Sequence, residues 1–153
     1  MEKEPLNQKG YLYLFFILIL FGGRSLFPER ATGQQIVVSS YFNAADPRDE
    51  WTELLVIQDN LDIRNWSLGD NNSDQDEWQT AINFNNTPFW QHLRAGTIIV
   101  IWHRGVNSSG ANQPLDTDAS DGFVQINANN STYFNGGAFG TAPSFNGNTL
   151  NIA

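Results

Sequence analysis

Apolar and polar side chains alternate with a two-residue period along most of the chain after residue 33. Alternation of this kind puts one set of side chains on each face of a strand. No window of a dozen residues repeats apolar side chains three and four positions apart, as an amphipathic helix would. The pattern predicts an all-β fold, a sandwich or barrel. Its candidate strands, separated by turns rich in Gly, Asn and Asp, are Ile36–Phe42, Trp51–Ile57, Trp66–Leu68, Trp78–Phe84, Thr97–Trp102 and Phe123–Asn127.

Several stretches of this pattern predict where a segment lies in the fold. The sequence TIIVIW at Thr97–Trp102 is apolar throughout, which favours a central strand buried on both faces. Trp51 and Leu54 are separated by an odd number of residues, so a regular strand points them to opposite faces. The polar stretch Gly69–Glu77 is expected to be a loop. Ala128–Asn151 is expected to be a longer loop, which its aromatic side chains hold against the sandwich edge.

The start of the chain differs from the rest and predicts an export signal. An uninterrupted apolar run, YLYLFFILILF, occupies Tyr11–Phe21 behind two lysines. Eleven helical residues rise about 16 Å, roughly half of a bilayer's hydrocarbon core, so the run suits a cleaved signal better than a permanent anchor. Small residues at Ala31 and Gly33 predict cleavage after Gly33. The expected organisation is a signal peptide at 1–33 and one domain at 34–153.

Composition and charge narrow the function classes. The 153-residue chain contains no cysteine, which excludes disulfides, thiolate metal sites and cysteine nucleophiles. The 120 residues of the expected domain carry 13 acidic residues, 4 arginines and no lysine, a formal charge of −9. Such a surface repels phosphate backbones and anionic lipid head groups. Nucleic acid is therefore disfavoured as a partner, and membrane contact is expected only through an uncleaved signal.

Three motifs occur in a characteristic order. Glu50–Leu54 reads EWTEL, Leu61–Leu68 reads LDIRNWSL, and Leu93–Thr97 reads LRAGT immediately before an apolar strand. Together they resemble the lamin-tail domain, whose pattern has a Trp–x–Glu–Leu strand, a Leu–x–Gly–Trp–x–Leu segment and a Leu–x–Pro–Gly turn before a buried strand. The resemblance covers Ile36–Ala153. It implies an immunoglobulin-like β-sandwich of the kind found in nuclear lamins and in many exported bacterial proteins.

The resemblance implies fold-defining roles for seven residues: Trp51, Glu53, Leu54, Asn65, Trp66, Leu68 and Gly96. Ile63, Trp66 and Leu68 can all face the core if the backbone bends sharply near Asn65. Asparagine tolerates the left-handed conformation for which the family uses glycine. Gly96 suits a tight turn, with Ala95 in place of the family's proline. In the family a segment like Asn148–Ile152 leads on to further strands, so the sandwich is expected to be incomplete at its C-terminus, without its last strands.

Two sets of oxygen-bearing side chains are candidate calcium loops. Gln75 and Ala81 occupy the places where an EF-hand following the first set needs glycine and glutamate, so that pattern fails. Solvated loops are the favoured interpretation of both sets, and calcium is the one cofactor kept open. The first set is Asp70, Asn72, Asp74 and Asp76. The second set is Asp116, Asp118 and Asp121.

No motif indicates an active site, since serine-nucleophile, phosphate-loop and dinucleotide patterns are absent. His92 and His103 lie on either side of the apolar strand and are expected at surface or turn positions, without a third ligand for a metal. Glu53 is expected to hydrogen-bond to a turn rather than to act in catalysis.

The five tryptophans give a further candidate surface. Exposed indoles on a sandwich stack on sugar rings, and Trp78 and Trp90 flank loops, although packing is the favoured interpretation even for these two. Core packing is expected for the other three, Trp51, Trp66 and Trp102.

The favoured hypothesis is a non-catalytic module of the lamin-tail type, secreted or displayed at a bacterial cell surface. It would mediate protein contacts or tether a larger exported protein. A fold resemblance does not define a function, so two alternatives stay open. One is a carbohydrate-binding sandwich that uses Trp78 and Trp90, and the other is a small exported hydrolase that uses its two histidines.

Overall fold

The alternating pattern builds a fold of two sheets. The computed structural model describes residues 34–71, 78–135 and 149–151, which belong to one compact unit, Gln34–Ala153. The predicted signal peptide lies outside the described residues. Within them, no helix is long and apolar enough to cross a membrane. In chain order the strands are β1 (Ile36–Phe42), β2 (Trp51–Val56), β3 (Ser67–Asn71), β4 (Trp78–Phe84), β5 (Ile98–Trp102), β6 (Phe123–Asn127), β7 (Phe134–Asn135) and β8 (Thr149–Asn151).

Each sheet contains four of these strands. The first sheet has the order β1-β2-β5-β6, in which the first two pairs are antiparallel and the last is parallel. The second has the order β7-β4-β3-β8, and its β3–β8 pair is parallel. The predicted all-β sandwich is therefore confirmed.

The core contains the inward side chains of both sheets. In β2 the burial alternates strictly, with Thr52, Leu54 and Val56 buried and the residues between them half-exposed. Full burial of one such aliphatic side chain stabilises the fold by about 1.5–3 kcal/mol. The core also takes in Trp90 and residues from connecting segments. Its fully buried members include Leu54, Ile63, Leu68, Ile82, Phe84, Trp90, Ile99, Ile101, Val124, Ile126 and Phe134.

β5 is a central strand, as its uniformly apolar sequence predicts. It lies between β2 and β6. Ile99 and Ile101 are fully buried in the core, and Val100, which points to the other face, is only 8% exposed. The prediction of a strand buried on both faces is confirmed for these three residues.

The predicted bend at Asn65 is confirmed. Asn65 has φ 60°, a left-handed conformation that asparagine tolerates. Its amide donates to the Phe84 carbonyl at 3.0 Å, and the Trp66 amide donates to the Ile63 carbonyl at 3.1 Å. Ile63 and Leu68 are consequently fully buried, and Trp66 packs partly buried against them.

The turn into β5 also follows the prediction. Gly96 has φ 87°, a conformation that a side chain disfavours, and its amide donates to the Val56 carbonyl at 2.8 Å. The amide of Thr97 then donates to the carbonyl of Arg94 at 3.1 Å, which closes the turn.

Two predicted loops are partly strand. Gly69–Asn71, expected to begin a polar loop, continues β3, because each of its residues pairs with β4. Ala128–Asn151, expected to be one long loop, contains β7 and β8. Its aromatic residues do attach it to the fold, since Phe134 is 1% exposed and Tyr133 packs against the core. The loop prediction is therefore wrong at these strands, where pairing with a neighbouring strand overrides local composition.

Candidate functional site

Three aromatic side chains lie next to one another on the outer face of the first sheet. Phe42 of β1 pairs with Trp51 of β2, and Trp51 pairs with Trp102 of β5. We call these three residues the aromatic row. On β6 the same line ends at Asn127, which pairs with Trp102.

The positions of these residues follow from the geometry of their strands. In β2 the buried residues are Thr52 and Leu54, so Trp51 points outward. In β1 the register shifts between Val38 and Ser40. Val38 points inward, and Phe42 lies four residues later, so in a regular strand Phe42 would point inward as well. The extra residue in the bulge turns Phe42 to the outer face instead.

A hydrogen bond stabilises the bulge. The Ser39 hydroxyl donates to Oε1 of Glu53 at 2.7 Å, and it also lies 3.2 Å from the Glu53 backbone carbonyl. Glu53 was expected to hydrogen-bond to a turn; its partner is instead the bulged strand next to it. Glu53 therefore joins β1 to β2 beside the aromatic row.

The rings of the aromatic row are in mutual contact and reach solvent. Phe42 and Trp51 have centroids 6.0 Å apart and planes inclined by 24°, and Trp51 and Trp102 meet edge to face at 6.5 Å. These are favourable aromatic geometries. Phe42 is 47% exposed, and the two tryptophans are half-buried. A band of aromatic surface therefore crosses three strands.

Trp102 brings an unpaired polar group to this row. Its Nε1 is buried and has no hydrogen-bond partner among the described residues. A buried donor without a partner destabilises a fold by about 1–3 kcal/mol. The contrast is Trp90, whose Nε1 donates to the Tyr133 carbonyl at 2.9 Å.

Polar and apolar sets of side chains follow the aromatic row across the outer face. The adjacent set is mostly polar, and the register aligns it as Ser40, Glu53, Val100 and Gln125. The set beyond it is apolar and half-buried, and consists of Val37, Leu55, Ile98 and Phe123. The outer face thus combines aromatic surface with hydroxyl, carboxylate and amide groups.

A buried polar cluster lies on the inner side of the same end of the sheet. Nε2 of His103 is 2.8 Å from Oγ1 of Thr52, and its Nδ1 is 3.4 Å from Oε2 of Glu50. A carboxylate only accepts, so Nδ1 carries the proton and Nε2 accepts from the hydroxyl of Thr52. The Tyr41 ring stacks on the imidazole with centroids 5.7 Å apart.

Burial dominates the electrostatics of this cluster. It lowers the pKa of His103 to about 4, with a smaller contribution from the positive charge of Arg104. It is also the largest cause of the raised pKa values of Glu50 and Tyr41. At neutral pH His103 is therefore uncharged, and its contact with Glu50 is a long hydrogen bond rather than an ion pair.

The order hydroxyl–imidazole–carboxylate is that of a hydrolytic triad, but the setting differs. Thr52 is 0% exposed and His103 is 3% exposed, so the hydroxyl is not accessible to a substrate from solvent. His103, expected at a surface or turn position, lies in a bend directly after β5 and is not at the surface, because its side chain points to the inner face of the sheet. The cluster instead joins β2 to the end of β5, and its members Thr52 and His103 are the chain neighbours of Trp51 and Trp102.

The other histidine is at the surface, as expected. His92 is exposed and has φ 58°. Its Nδ1 is 2.5 Å from Oδ1 of Asn60, which also has a left-handed backbone. The two residues flank the isolated bridge between Leu61 and Leu93.

For the two tryptophans that flank loops the sequence favoured packing over ligand contact, and Trp90 is packed. Trp90, one candidate for ligand contact, is fully buried among Phe84, Phe89 and Phe134. The side chain of Trp78, the other candidate, lies outside the described part of the structure. Trp51 and Trp102, expected in the core, lie instead on the outer face. The odd spacing from Leu54 already indicated this for Trp51.

The acidic sets do not form a metal site in the described residues. Asp116, Asp118 and Asp121 each accept a hydrogen bond from the backbone amide two residues later, at 2.9–3.0 Å. Their carboxylates therefore shape their own turns. Of the other set Asp70 is half-buried, and Asn72, Asp74 and Asp76 lie outside the described residues. Throughout the described part of the chain, no group of three or more His, Asp or Glu side chains could hold a metal ion.

Comparisons with known proteins identify no relative, so the function is inferred from the geometry of the site. The aromatic row and its polar neighbours form a continuous surface across the first sheet. No family model, curated protein or solved structure matches the chain.

Proposed function

We propose that this chain is a non-catalytic binding module and that the aromatic row is its recognition surface. The observation that carries the proposal is the alignment of Phe42, Trp51 and Trp102 on the outer face of one sheet, with Phe42 47% exposed. Large aromatic side chains that remain accessible and contiguous are typical of binding surfaces.

The proposal includes export and the lamin-tail type of fold. The two-sheet architecture and the left-handed backbone at Asn65 and Gly96 support the fold type. The apolar run at Tyr11–Phe21 supports export. A module of this kind attaches itself, or a larger protein, to a component of the cell surface.

Retention on cell envelopes tests this proposal. The full chain, purified from the host that makes it, is incubated with envelopes of the same host and sedimented. We expect saturable retention that Trp51→Ala weakens about tenfold or more, because the central ring of the row is removed. The matched control is Leu115→Ala, which truncates a side chain that is 59% exposed and lies outside the aromatic row.

Two results would contradict the proposal. One is the absence of saturable retention of the wild-type chain. The other is equal retention of the wild-type chain and a Trp51→Ala variant whose thermal unfolding shows that it is folded.

A further inference from the structure

We infer that the aromatic row binds a neutral polysaccharide, whose sugar rings stack on Phe42 and Trp51 while its hydroxyls bond to the adjacent polar set. The inference rests on the proposed function and names the ligand of the same surface. Three properties of the outer face carry it: the arrangement of the rings, the polar groups beside them, and the sign of the charge.

The rings offer stacking surface in a line. Phe42 and Trp51 are inclined by only 24°, and Trp102 continues the row on the next strand. Neighbouring strands are about 4.8 Å apart, so three aromatic positions extend over about 10 Å, which is enough for more than one sugar ring. The C–H faces of a sugar are apolar, and an exposed aromatic ring in contact with them buries surface on both partners.

The polar groups beside the rings suit hydroxyls. Glu53 follows Trp51 by two residues on the same face, and Gln125 and Asn127 occupy the corresponding positions on β6. A carboxylate accepts about four hydrogen bonds, so Glu53 retains capacity beyond its bond with Ser39. The two amides both donate and accept. Sugar hydroxyls do the same, and they approach from the side of a stacked ring.

The charge of the surface favours a neutral polysaccharide over a polyanionic ligand. Arg and Lys are absent from the twelve outer-face positions of the first sheet, and Glu53 is the charged residue among them. The predicted domain has a formal charge of −9. Surfaces that stack the bases of single-stranded nucleic acids combine aromatic rings with a basic groove, which these positions lack.

The position of Glu53 also favours a sugar over a protein partner. The centre of a protein interface is depleted of charged residues, because a desolvated charge without an opposite charge is costly. Glu53 lies on β2, an inner strand of the sheet, and pairs across strands with Ser40 and Val100. An apolar protein surface would bury its carboxylate, whereas a hydroxylated ligand would satisfy it.

The test uses the full chain and host envelopes, treated beforehand with either periodate or protease. Periodate cleaves the vicinal diols of sugars and leaves the peptide backbone, and protease does the reverse. We expect periodate to lower retention at least tenfold. We also expect the retention that remains after protease treatment to be unchanged between about 0.05 and 0.5 M NaCl, because a neutral ligand has no ionic attraction to screen.

Variants test the contacts on both parts of the surface. Phe42→Ala is expected to weaken retention about tenfold, and Gln125→Ala about threefold, which corresponds to one stacked ring and one hydrogen bond. Leu115→Ala is the matched control and is expected to bind as the wild-type chain does. If the surface bound through apolar contact alone, Phe42→Ala would weaken retention and Gln125→Ala would not.

The outcomes separate this inference from the function on which it rests. Retention that survives periodate overturns a neutral polysaccharide with vicinal diols, and retention that rises or falls steeply with salt overturns a neutral ligand. If such retention is still lost in Trp51→Ala, the binding module stands and its ligand is a protein or a charged polymer. If the wild-type chain is not retained on untreated envelopes, the proposed function fails as well.

Discussion

At the scale of single residues, the same side chain has different roles on the two sides of the first sheet. Trp90 is fully buried, donates from Nε1 to the Tyr133 carbonyl, and contacts Phe84 edge to face at 5.0 Å. Trp102 is half-buried, and its Nε1 has no partner among the described residues. One tryptophan is therefore part of the core with its donor paired, and the other lies half-buried on the outer face with a buried donor that has no partner among the described residues.

Replacement of each tryptophan by phenylalanine tests this difference. Trp90→Phe is expected to lower the free energy of unfolding by about 2–4 kcal/mol, because it leaves a cavity and an unpaired carbonyl. Trp102→Phe makes the same chemical change but removes a donor without a partner in the described part of the chain, so we expect a loss below about 1 kcal/mol. Denaturant unfolding of the two variants and the wild-type chain measures both values. Equal losses would contradict the assignment of the two side chains.

At the scale of elements, strand limits could be predicted from the sequence more readily than the face that each strand presents. β1, β4 and β6 coincide with predicted strands, and β2 and β5 differ from their predictions by one residue at one end. Alternation and β-branched residues define such limits locally. β3 extended further than predicted because its last residues pair with β4, a contact that composition does not reveal.

The candidate site was harder to predict for the same physical reason. In the segment TIIVIW both faces are apolar, so nothing local distinguishes inward Ile101 from outward Trp102. Phe42 lies an even number of residues after Val38 and would point inward with it, but the bulge at Ser39 turns Phe42 outward. Alternation alone cannot place such residues; the cross-strand register can.

The cluster that joins β2 to the end of β5 predicts acid sensitivity. His103 has a pKa of about 4 in the folded protein, below the usual histidine value of 6.5, because burial disfavours its charged form. Between these values the unfolded chain binds more protons, so stability falls as the pH drops from about 6.5 to about 4. The full effect of this group is about 3 kcal/mol. Denaturant unfolding at pH 7 and pH 4.5 measures most of it.

A variant isolates the contribution of this histidine. His103→Gln is expected to be less stable at pH 7 but to lose distinctly less stability than the wild-type chain on going to pH 4.5. His92→Gln, in which the exposed histidine is replaced and the buried one retained, serves as the control and should keep the wild-type dependence. The same loss in all three proteins would contradict the role of the buried imidazole.

At the scale of the whole molecule, the first sheet carries apolar side chains on both of its faces. The inner face packs against the second sheet in the core. The outer face presents the aromatic row, a polar set and an apolar set in cross-strand alignment. We propose that such a face, on a domain with a negative net charge, contacts an uncharged partner.

Hydroxyl-radical footprinting of the full chain, with and without host envelopes, tests the central claim most directly. Mass spectrometry would report the oxidation of peptides that contain Phe42 and Trp51, and of a reference peptide that contains Leu115. If the aromatic row is the recognition surface, envelopes should lower oxidation at Phe42 and Trp51 severalfold and leave Leu115 unchanged. Unchanged oxidation of the row, or protection confined to exposed residues elsewhere such as Ile57 and Val106, would contradict it.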